Sequence, residues 1–249
     1  MVDLSDAELE RYARHIVLPQ VGGFGQRRLK ETSIAVVGAG GIGSGVIPSL
    51  AGAGIGKLTI IDCDAVEVSN LQRQPLFRER DLGYAKAEMA AQFAHRLNRF
   101  VVAVPIQQRV SGDYAASLLA GHDLVIDGSD NFATRLAVSD ACVPLGIPLL
   151  SAAAVQFQGQ VGLFGGRPCY RCFVGDAFDS DECDNCAELG VLGALTTTVG
   201  SFAALLAINS ILAIGGPQAG TLHLFDGEKL SWRTISIPPD PGCKACGSA

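Results

Sequence analysis

Three Cys-x-x-Cys pairs stand out in this 249-residue chain: Cys169/Cys172, Cys183/Cys186 and Cys243/Cys246. The two-residue spacer lets both thiols of a pair reach one ion, and a tetrahedral thiolate site takes two pairs. One pair is therefore surplus, and surplus thiols beside a nucleotide motif are candidates for covalent chemistry. Spacing alone does not say which pair is left over. Cys169/Cys172 and Cys243/Cys246 sit in turn-rich settings, Pro168-Cys-Tyr-Arg-Cys and Pro241-Gly-Cys-Lys-Ala-Cys-Gly. Cys183/Cys186 sits among Asp181, Glu182 and Asp184, acids that raise a thiol pKa and disfavour a strongly activated thiolate. Cys63 and Cys142 read as small core residues.

A second constellation points to a nucleotide. Gly38-Ala-Gly40-Gly41-Ile-Gly43 follows an apolar run and opens a helical stretch. Glycines there allow a tight turn and bring backbone N–H groups to a phosphate at the helix N-terminus. Asp62 ends the next apolar run, where a carboxylate takes both hydroxyls of a ribose. These residues specify an adenine nucleotide but do not separate NAD from ATP. Asn70, Arg73 and Lys86 follow Asp62 closely, and such a cluster suits a triphosphate better than a nicotinamide. Asp130, after the run His122-Asp-Leu-Val-Ile, has two readings that can hold together: a carboxylate ligand for Mg²⁺, and the N-cap of the helix that follows.

Positioning these residues requires strands alternating with helices. Apolar runs at 34–37, 58–61, 101–104, 124–126 and 147–150 read as strands buried on both faces, hence parallel. Helical stretches near 43–53, 84–98, 113–120 and 131–145 separate them. The expectation is an α/β fold with a doubly wound, Rossmann-like nucleotide-binding sheet. Pro48 is expected to kink the first crossover helix or limit it to short turns. Ser5-x-x-Glu8 is a capping box opening a helix toward Ile16, and Val21 to Gly25 reads as a Gly-rich loop. After Ala154 come a strand candidate at 160–164, a Cys-rich acidic loop, an apolar helix near 195–214, and strands at 221–225 and 231–237 about the turn Asp226-Gly227. The whole reads as a single domain: an N-terminal helical arm (1–30), a nucleotide-binding core (31–154) and a C-terminal part (155–249).

Composition narrows the class. A net charge of −6 and a pI near 5.2 argue against a nucleic-acid binder, which would carry a basic face. With 48% hydrophobic residues and a mean hydropathy of +0.29, the chain has apolar surface to spare, and a homodimer is the expectation. The run Val191–Ile214 is broken by Thr196, Thr197, Thr198, Ser201, Asn209 and Ser210, and reads as a buried or interface helix rather than a membrane span. No signal peptide is visible, so a cytoplasmic location with reduced thiols is expected.

Taken in order, these motifs resemble the MoeB/ThiF family, bacterial relatives of ubiquitin-activating enzymes. The resemblance rests on Arg11-x-x-Arg14-His-Ile-x-Leu, the glycine loop, Asp62, Asn70-Leu-Gln-Arg73-Gln, Lys86, Asp130-Asn131 and the two outer Cys pairs, and covers nearly the whole chain. It implies adenylation of the C-terminal glycine of a ubiquitin-fold sulfur carrier ending in Gly-Gly, with a sulfur donor later converting the acyl-adenylate to a thiocarboxylate. By the same resemblance, Gly40 and Gly41 face the ATP phosphates, Asp62 binds ribose, and Asn70, Arg73 and Lys86 hold the triphosphate. Asp130 holds Mg²⁺, with Asn131 beside it among the nucleotide-binding residues. Arg14 reaches the other subunit's phosphates, making the homodimer necessary for catalysis. Cys169, Cys172, Cys243 and Cys246 bind structural zinc, and residues 155–249 carry that site and receive the carrier. Cys186 falls where some members place a thiol that handles the adenylate or a persulfide; Cys183 matches no family position. Leu195-Thr-Thr-Thr-Val-Gly stands where relatives often have a proline-containing helix start, which leaves local geometry beside the thiol loop open.

The expected carrier is the small subunit of molybdopterin synthase, because the chain ends soon after the last Cys pair with no rhodanese extension; the thiamine-pathway carrier is the alternative. An NAD-dependent oxidoreductase on the same fold and a non-catalytic nucleotide-binding scaffold are alternatives of another class. The charge cluster and the full set of phosphate-site residues weigh against them.

Overall fold

The computed structural model describes residues 2–175, 189–216 and 218–247. Its strands, β1 (Ser33–Val37), β2 (Lys57–Ile61), β3 (Val102–Ile106), β4 (Leu124–Asp127), β5 (Leu149–Val155), β6 (Gln158–Phe164), β7 (Thr221–Asp226) and β8 (Ser231–Ser236), form one sheet in the order β3-β2-β1-β4-β5-β6-β7-β8. The first five are parallel. The last three extend the sheet antiparallel from β5.

Side-chain alternation explains why the central strands are apolar throughout. Ile34, Val36, Leu58, Ile60 and Ile126 enter one core, and Ala35, Val37, Ile61 and Val125 the other. Successive residues of a strand point to opposite faces, so burying both faces leaves no polar alternation. The first core is covered by α4 (Gly43–Ala53), α5 (Lys86–Leu97) and α9 (Gly193–Leu212); the second by α6 (Gly112–Leu119), α7 (Phe132–Leu145) and the short α8 (Tyr170–Val174). α4 and α9 touch backbone to backbone: a Cβ on Gly200 would lie 2.3 Å from the Ile42 carbonyl oxygen. α9 is long and apolar enough to cross a membrane by length and composition, yet its Val199, Ala203, Ala204 and Ala207 are buried in the first core.

Several expectations need correction. The run at 101–104 is not buried on both faces. β3 is an edge strand with Val102 exposed, and Pro105 is tolerated because an edge strand needs no donor on its free side. β5 runs on to Val155 because β6 pairs with its whole length. The stretch Val21–Gly25 is not a loop. α3 (Gly22–Glu31) begins there, held by buried Leu29 and by Gln26, whose Nε2 donates to the Ala53 carbonyl at 2.8 Å. Pro48 does not shorten α4, which runs unbroken as eleven residues. The N-terminal helix is two, α1 (Asp6–Arg11) and α2 (Ala13–Ile16), parted at buried Tyr12. The capping box at Ser5 and Glu8 is present. Trp232 packs, stacking on Phe202 and Phe225.

Candidate functional site

β1 and β4 are adjacent, and their crossovers leave in opposite directions. That switch point is where a doubly wound sheet opens a crevice at its carboxyl ends. Gly38 ends β1 with φ +91°, and a Cβ on it would lie 3.0 Å from the backbone of Gly128, just past β4. A Cβ on Gly43 would lie 2.4 Å from the Gly38 carbonyl oxygen. The loop can close only with glycine at both positions. No side chain caps α4; its Ser44 and Gly45 N–H groups already bond the Gly40 and Ile42 carbonyls, so a ligand at this helix N-terminus would be met by the N–H groups of the glycine loop ahead of them.

A cavity of about 780 Å³ lies over this loop. Gly38, Gly40, Gly41, Asp62, Asn70, Arg73, Lys86, Asp130 and Asn131 all line it. Gly43 lies behind it, supporting the turn. Asp62 accepts from the Ala39 N–H at 2.7 Å and the Asp64 N–H at 2.9 Å, one through each oxygen. Burial pushes its carboxyl up against these hydrogen bonds and Lys86. Each oxygen keeps a lone pair for a ribose hydroxyl. Lys86 opens α5 and is 6% exposed; its Nζ sits 3.0 Å from Asp64 Oδ2. Arg73 Nη1 donates to the Ser69 carbonyl at 2.9 Å. Asn70 is buried, its Oδ1 receiving the Glu67 N–H at 3.3 Å. Arg14 is exposed on α2 and lines neither this cavity nor the neighbouring one.

The two readings of Asp130 separate here. The N-cap of α7 is Asn131, whose Oδ1 accepts the Thr134 N–H at 2.8 Å. Asp130 is not the cap, and its exposed carboxylate is left to the cavity. A carboxylate in a cavity that also holds Arg73 and Lys86 fits a hard divalent ion. Beneath it Asp127 is fully buried. Its Oδ1 accepts the Ser129 N–H at 2.9 Å, and burial pushes its carboxyl up against the pull of Arg135.

Sequence reasoning missed several lining residues. Asp64 and Arg109 follow the carboxyl ends of β2 and β3, positions the crevice rule marks as ligand-facing. Cys63, expected in the core, lies between Asp62 and Asp64 at the cavity wall. Thr196 arrives from α9, and Arg135 from α7; neither carries a local signal. Asp130, Arg135, Ala153 and Ala154 also line a second cavity, of about 650 Å³, which spreads over β5 to β8 toward Gln160, Leu224 and Arg233.

The outer Cys pairs converge elsewhere. The Sγ atoms of Cys169, Cys172, Cys243 and Cys246 all lie within 4.8 Å of one another, with 3.5 Å between Cys169 and Cys243 and 3.3 Å between Cys172 and Cys246. These separations are far too long for disulfides and suit four thiolates around one tetrahedral ion. Arg171 grips Asp140 with two bonds, at 2.6 and 2.8 Å, fixing the first knuckle on α7. Burial works to raise the Cys243 thiol, but N–H groups of Cys246 and Ala245 outweigh it and bring it to about 7. Cys183 and Cys186 lie outside the described residues.

Fold and site together define a nucleotide-binding protein of the doubly wound class with an added antiparallel wing and a four-cysteine centre. Residues 12–245 match the model of the ThiF family. A sulfur carrier protein adenylyltransferase of Thermus thermophilus is 43% identical over 96% of this chain and 91% of its own length. A SAMP-activating enzyme E1 of Haloferax volcanii is 40% identical, covering 99% and 92%. A molybdopterin-synthase adenylyltransferase of Salmonella typhimurium is 38% identical, covering 99% and 100%. Among solved structures, E. coli MccB with ATP superposes with a TM-score of 0.84 at 23% identity, over 98% of this chain and 75% of that one; this likeness speaks to the fold alone. The chain belongs to the ThiF family.

Proposed function

We propose that this sulfur-carrier adenylyltransferase uses ATP and Mg²⁺ to activate the C-terminal glycine of a ubiquitin-fold carrier, and that the carrier is the small subunit of molybdopterin synthase. The observation that carries the reading is the joining of two cavities. One gathers Lys86, Arg73, Asp62 and Asp130 around a glycine loop, and the other meets it at Asp130, Arg135, Ala153 and Ala154. A nucleotide fills the first; an extended Gly-Gly tail lies along the second, with the carrier body on residues 155–249.

The chemistry is charge stabilisation. A terminal carboxylate oxygen forms a bond to the α-phosphorus, the bond from that phosphorus to the bridging oxygen breaks, and pyrophosphate leaves with the electron pair. The nucleophile is already ionised at neutral pH, so no general base is required. Lys86 and Arg73, steadied by Asn70, hold the triphosphate, Asp62 takes the ribose, and backbone N–H groups at Gly40 and Gly41 meet the phosphates. Asn131 keeps the Asp130 turn in place. Mg²⁺ bound at Asp130 supplies further neutralisation of the pyrophosphate charge. Arg14 acts in trans from the second subunit of a homodimer, in keeping with its exposure away from its own cavity. The four-cysteine centre holds structural zinc. It needs reduced thiols, which suits a cytoplasmic location. Cys186 handles the sulfur step that follows.

ATP–pyrophosphate exchange tests the reading. Exchange should depend on a carrier ending in Gly-Gly, with the molybdopterin-synthase subunit giving the highest kcat/KM and the thiamine-pathway carrier the runner-up. Absence of exchange with every ubiquitin-fold carrier would overturn adenylation. Full thiocarboxylate output from Cys186→Ala in a reconstituted system would remove the covalent role of Cys186.

A further inference from the structure

Arg135 breaks two local rules at once. It stands in the first turn of α7, where a cation meets the positive end of the helix dipole. It is also 6% exposed, although arginine is rarely buried without dedicated partners. Departures of this kind concentrate at functional positions. Its partners show what the burial achieves. Nη1 donates to Ser151 Oγ at 3.3 Å and Nη2 to the Ala152 carbonyl at 3.2 Å, both on β5. Burial pushes the Tyr170 hydroxyl up against the pull of the same guanidinium. Nη2 also donates to the Ser129 carbonyl.

That carbonyl belongs to the peptide leading into Asp130. The Ser129 N–H is taken by Asp127 Oδ1 at 2.9 Å, and the Gly128 N–H by the Val37 carbonyl at 2.9 Å. The turn is thus fixed from below by β1 and β4 and from the side by Arg135 of α7, itself anchored to β5. Asp130 itself is exposed, so its direction is set by its backbone rather than by side-chain packing.

We propose that Arg135 is a positioning residue for adenylation: by clamping the Ser129–Asp130 peptide to β5, it presents the Asp130 carboxylate to the divalent cation on the nucleotide phosphates. The proposal rests on the reading of Asp130 as a Mg²⁺ ligand. Magnesium demands near-ideal octahedral geometry, so a loosened turn weakens the metal before it weakens the nucleotide. Arg135 also stands in the wall shared by both cavities, so the clamp sets the cation site and the floor of the tail channel together.

The test is calorimetric titration of the full chain with α,β-methylene ATP across a Mg²⁺ series, using Arg135→Met, Arg135→Lys and Asp130→Asn. Arg135→Met should raise the Mg²⁺ concentration for half-saturation by about tenfold or more. Binding of the analogue without Mg²⁺ should stay close to wild type. Arg135→Lys, keeping the charge but not the fork, should fall between. Asp130→Asn should lose most of the Mg²⁺ response. A shifted Asp130→Asn with an unshifted Arg135→Met would overturn the positioning role, as would an Arg135→Met defect confined to Mg²⁺-free binding or to the carrier KM. A wild-type Mg²⁺ response in Asp130→Asn would sink the reading of Asp130 itself, and the clamp with it. Should Arg135→Met fail to fold, Ser151→Ala removes one anchor and leaves the charge. It should shift the Mg²⁺ response in the same direction by less, and wild-type responses in both Ser151→Ala and Arg135→Lys would overturn the proposal.

Discussion

Lys86 Nζ lies 3.0 Å from Asp64 Oδ2, with the lysine side chain 8% exposed and the aspartate 56%. A buried ammonium is thus balanced by a carboxylate at the solvent edge, which can yield when a phosphate arrives. Burial works to raise the Asp64 carboxyl, but the bond and charge of Lys86 outweigh it and hold it below the ordinary range. The Asp64 carboxylate is therefore ionised at neutral pH. Lys86→Ala should cost roughly 10²–10³ in kcat/KM for exchange. Asp64→Asn removes a competitor for Lys86 and should lower the KM for ATP about two- to threefold at low ionic strength, fading as salt rises. Initial-rate kinetics at two salt concentrations check both; wild-type kcat/KM in Lys86→Ala would remove it from the site.

Asp127 carries a pH dependence of the opposite sign. Its Oδ2 is buried with no hydrogen-bond partner among the described residues, and burial raises its carboxyl in the folded state. A raised folded value means that the protonated acid contributes stability below the unfolded value, and that this is lost as pH rises through the folded one. Asp127→Asn keeps the oxygen that accepts the Ser129 N–H and cannot ionise. Its melting temperature should match wild type under acid conditions and exceed it increasingly from about pH 4 upward, by roughly 2–4 °C per kcal/mol. Thermal denaturation across pH decides this, and parallel curves for the two proteins would refute it.

How far the sequence carried depends on where the information sits. β1, β2 and β4 were legible because burial on both faces demands apolar side chains throughout, and the glycine loop because Gly38 and Gly43 answer to backbone geometry. β3 misled because Val101 to Val104 reads like a central strand; only the missing neighbour makes it an edge. α3 misled because Gly22, Gly23 and Gly25 favour a loop, while buried Gln26 and Leu29 make it a helix, packing overriding propensity. Asp130 and Asn131 were marked, but which of them caps α7 is settled only by the bond from the Thr134 N–H to Asn131 Oδ1. Asp64 was marked only by its place after β2, and its pairing with Lys86 and the anchoring of Arg135 to Ser151 and Ala152 were hidden because those partners are remote in sequence. The four-cysteine centre was half legible. Spacing gave the pairs, but which two converge is a property of the fold.

The homodimer reading makes a quantitative prediction. Arg14 is exposed and lines neither cavity of its own chain, whereas Lys86 belongs to the nucleotide cavity. If Arg14 serves the other subunit, Arg14→Ala and Lys86→Ala should each be nearly inactive alone. Mixed and allowed to exchange subunits, half of the dimers are hybrids, each with one complete site, so activity should recover to about a quarter of wild type in a two-fold symmetric dimer. Exchange assays on mixed, refolded subunits read this directly. No recovery, with subunit exchange verified by mass, would place Arg14 outside the active site.

Two glycines of one loop should fail in different ways. A Cβ on Gly40 would find its nearest neighbour, Gln74 Nε2, at 3.5 Å, an ordinary contact. Gly40→Ala should therefore fold with a wild-type melting temperature. Its methyl group would stand at the mouth of the cavity, where a phosphate must approach the backbone, and the KM for ATP should rise on the order of tenfold. A Cβ on Gly43 would sit 2.4 Å from the Gly38 carbonyl oxygen, a backbone atom that cannot rotate away. Gly43→Ala gains helix propensity, but the clash should cost about 1–3 kcal/mol and lower the melting temperature. Calorimetry paired with ATP titration separates the outcomes. A wild-type KM in Gly40→Ala would mean that the phosphates do not pass over Gly40, and the placement of the triphosphate against the N-terminus of α4 would have to be abandoned.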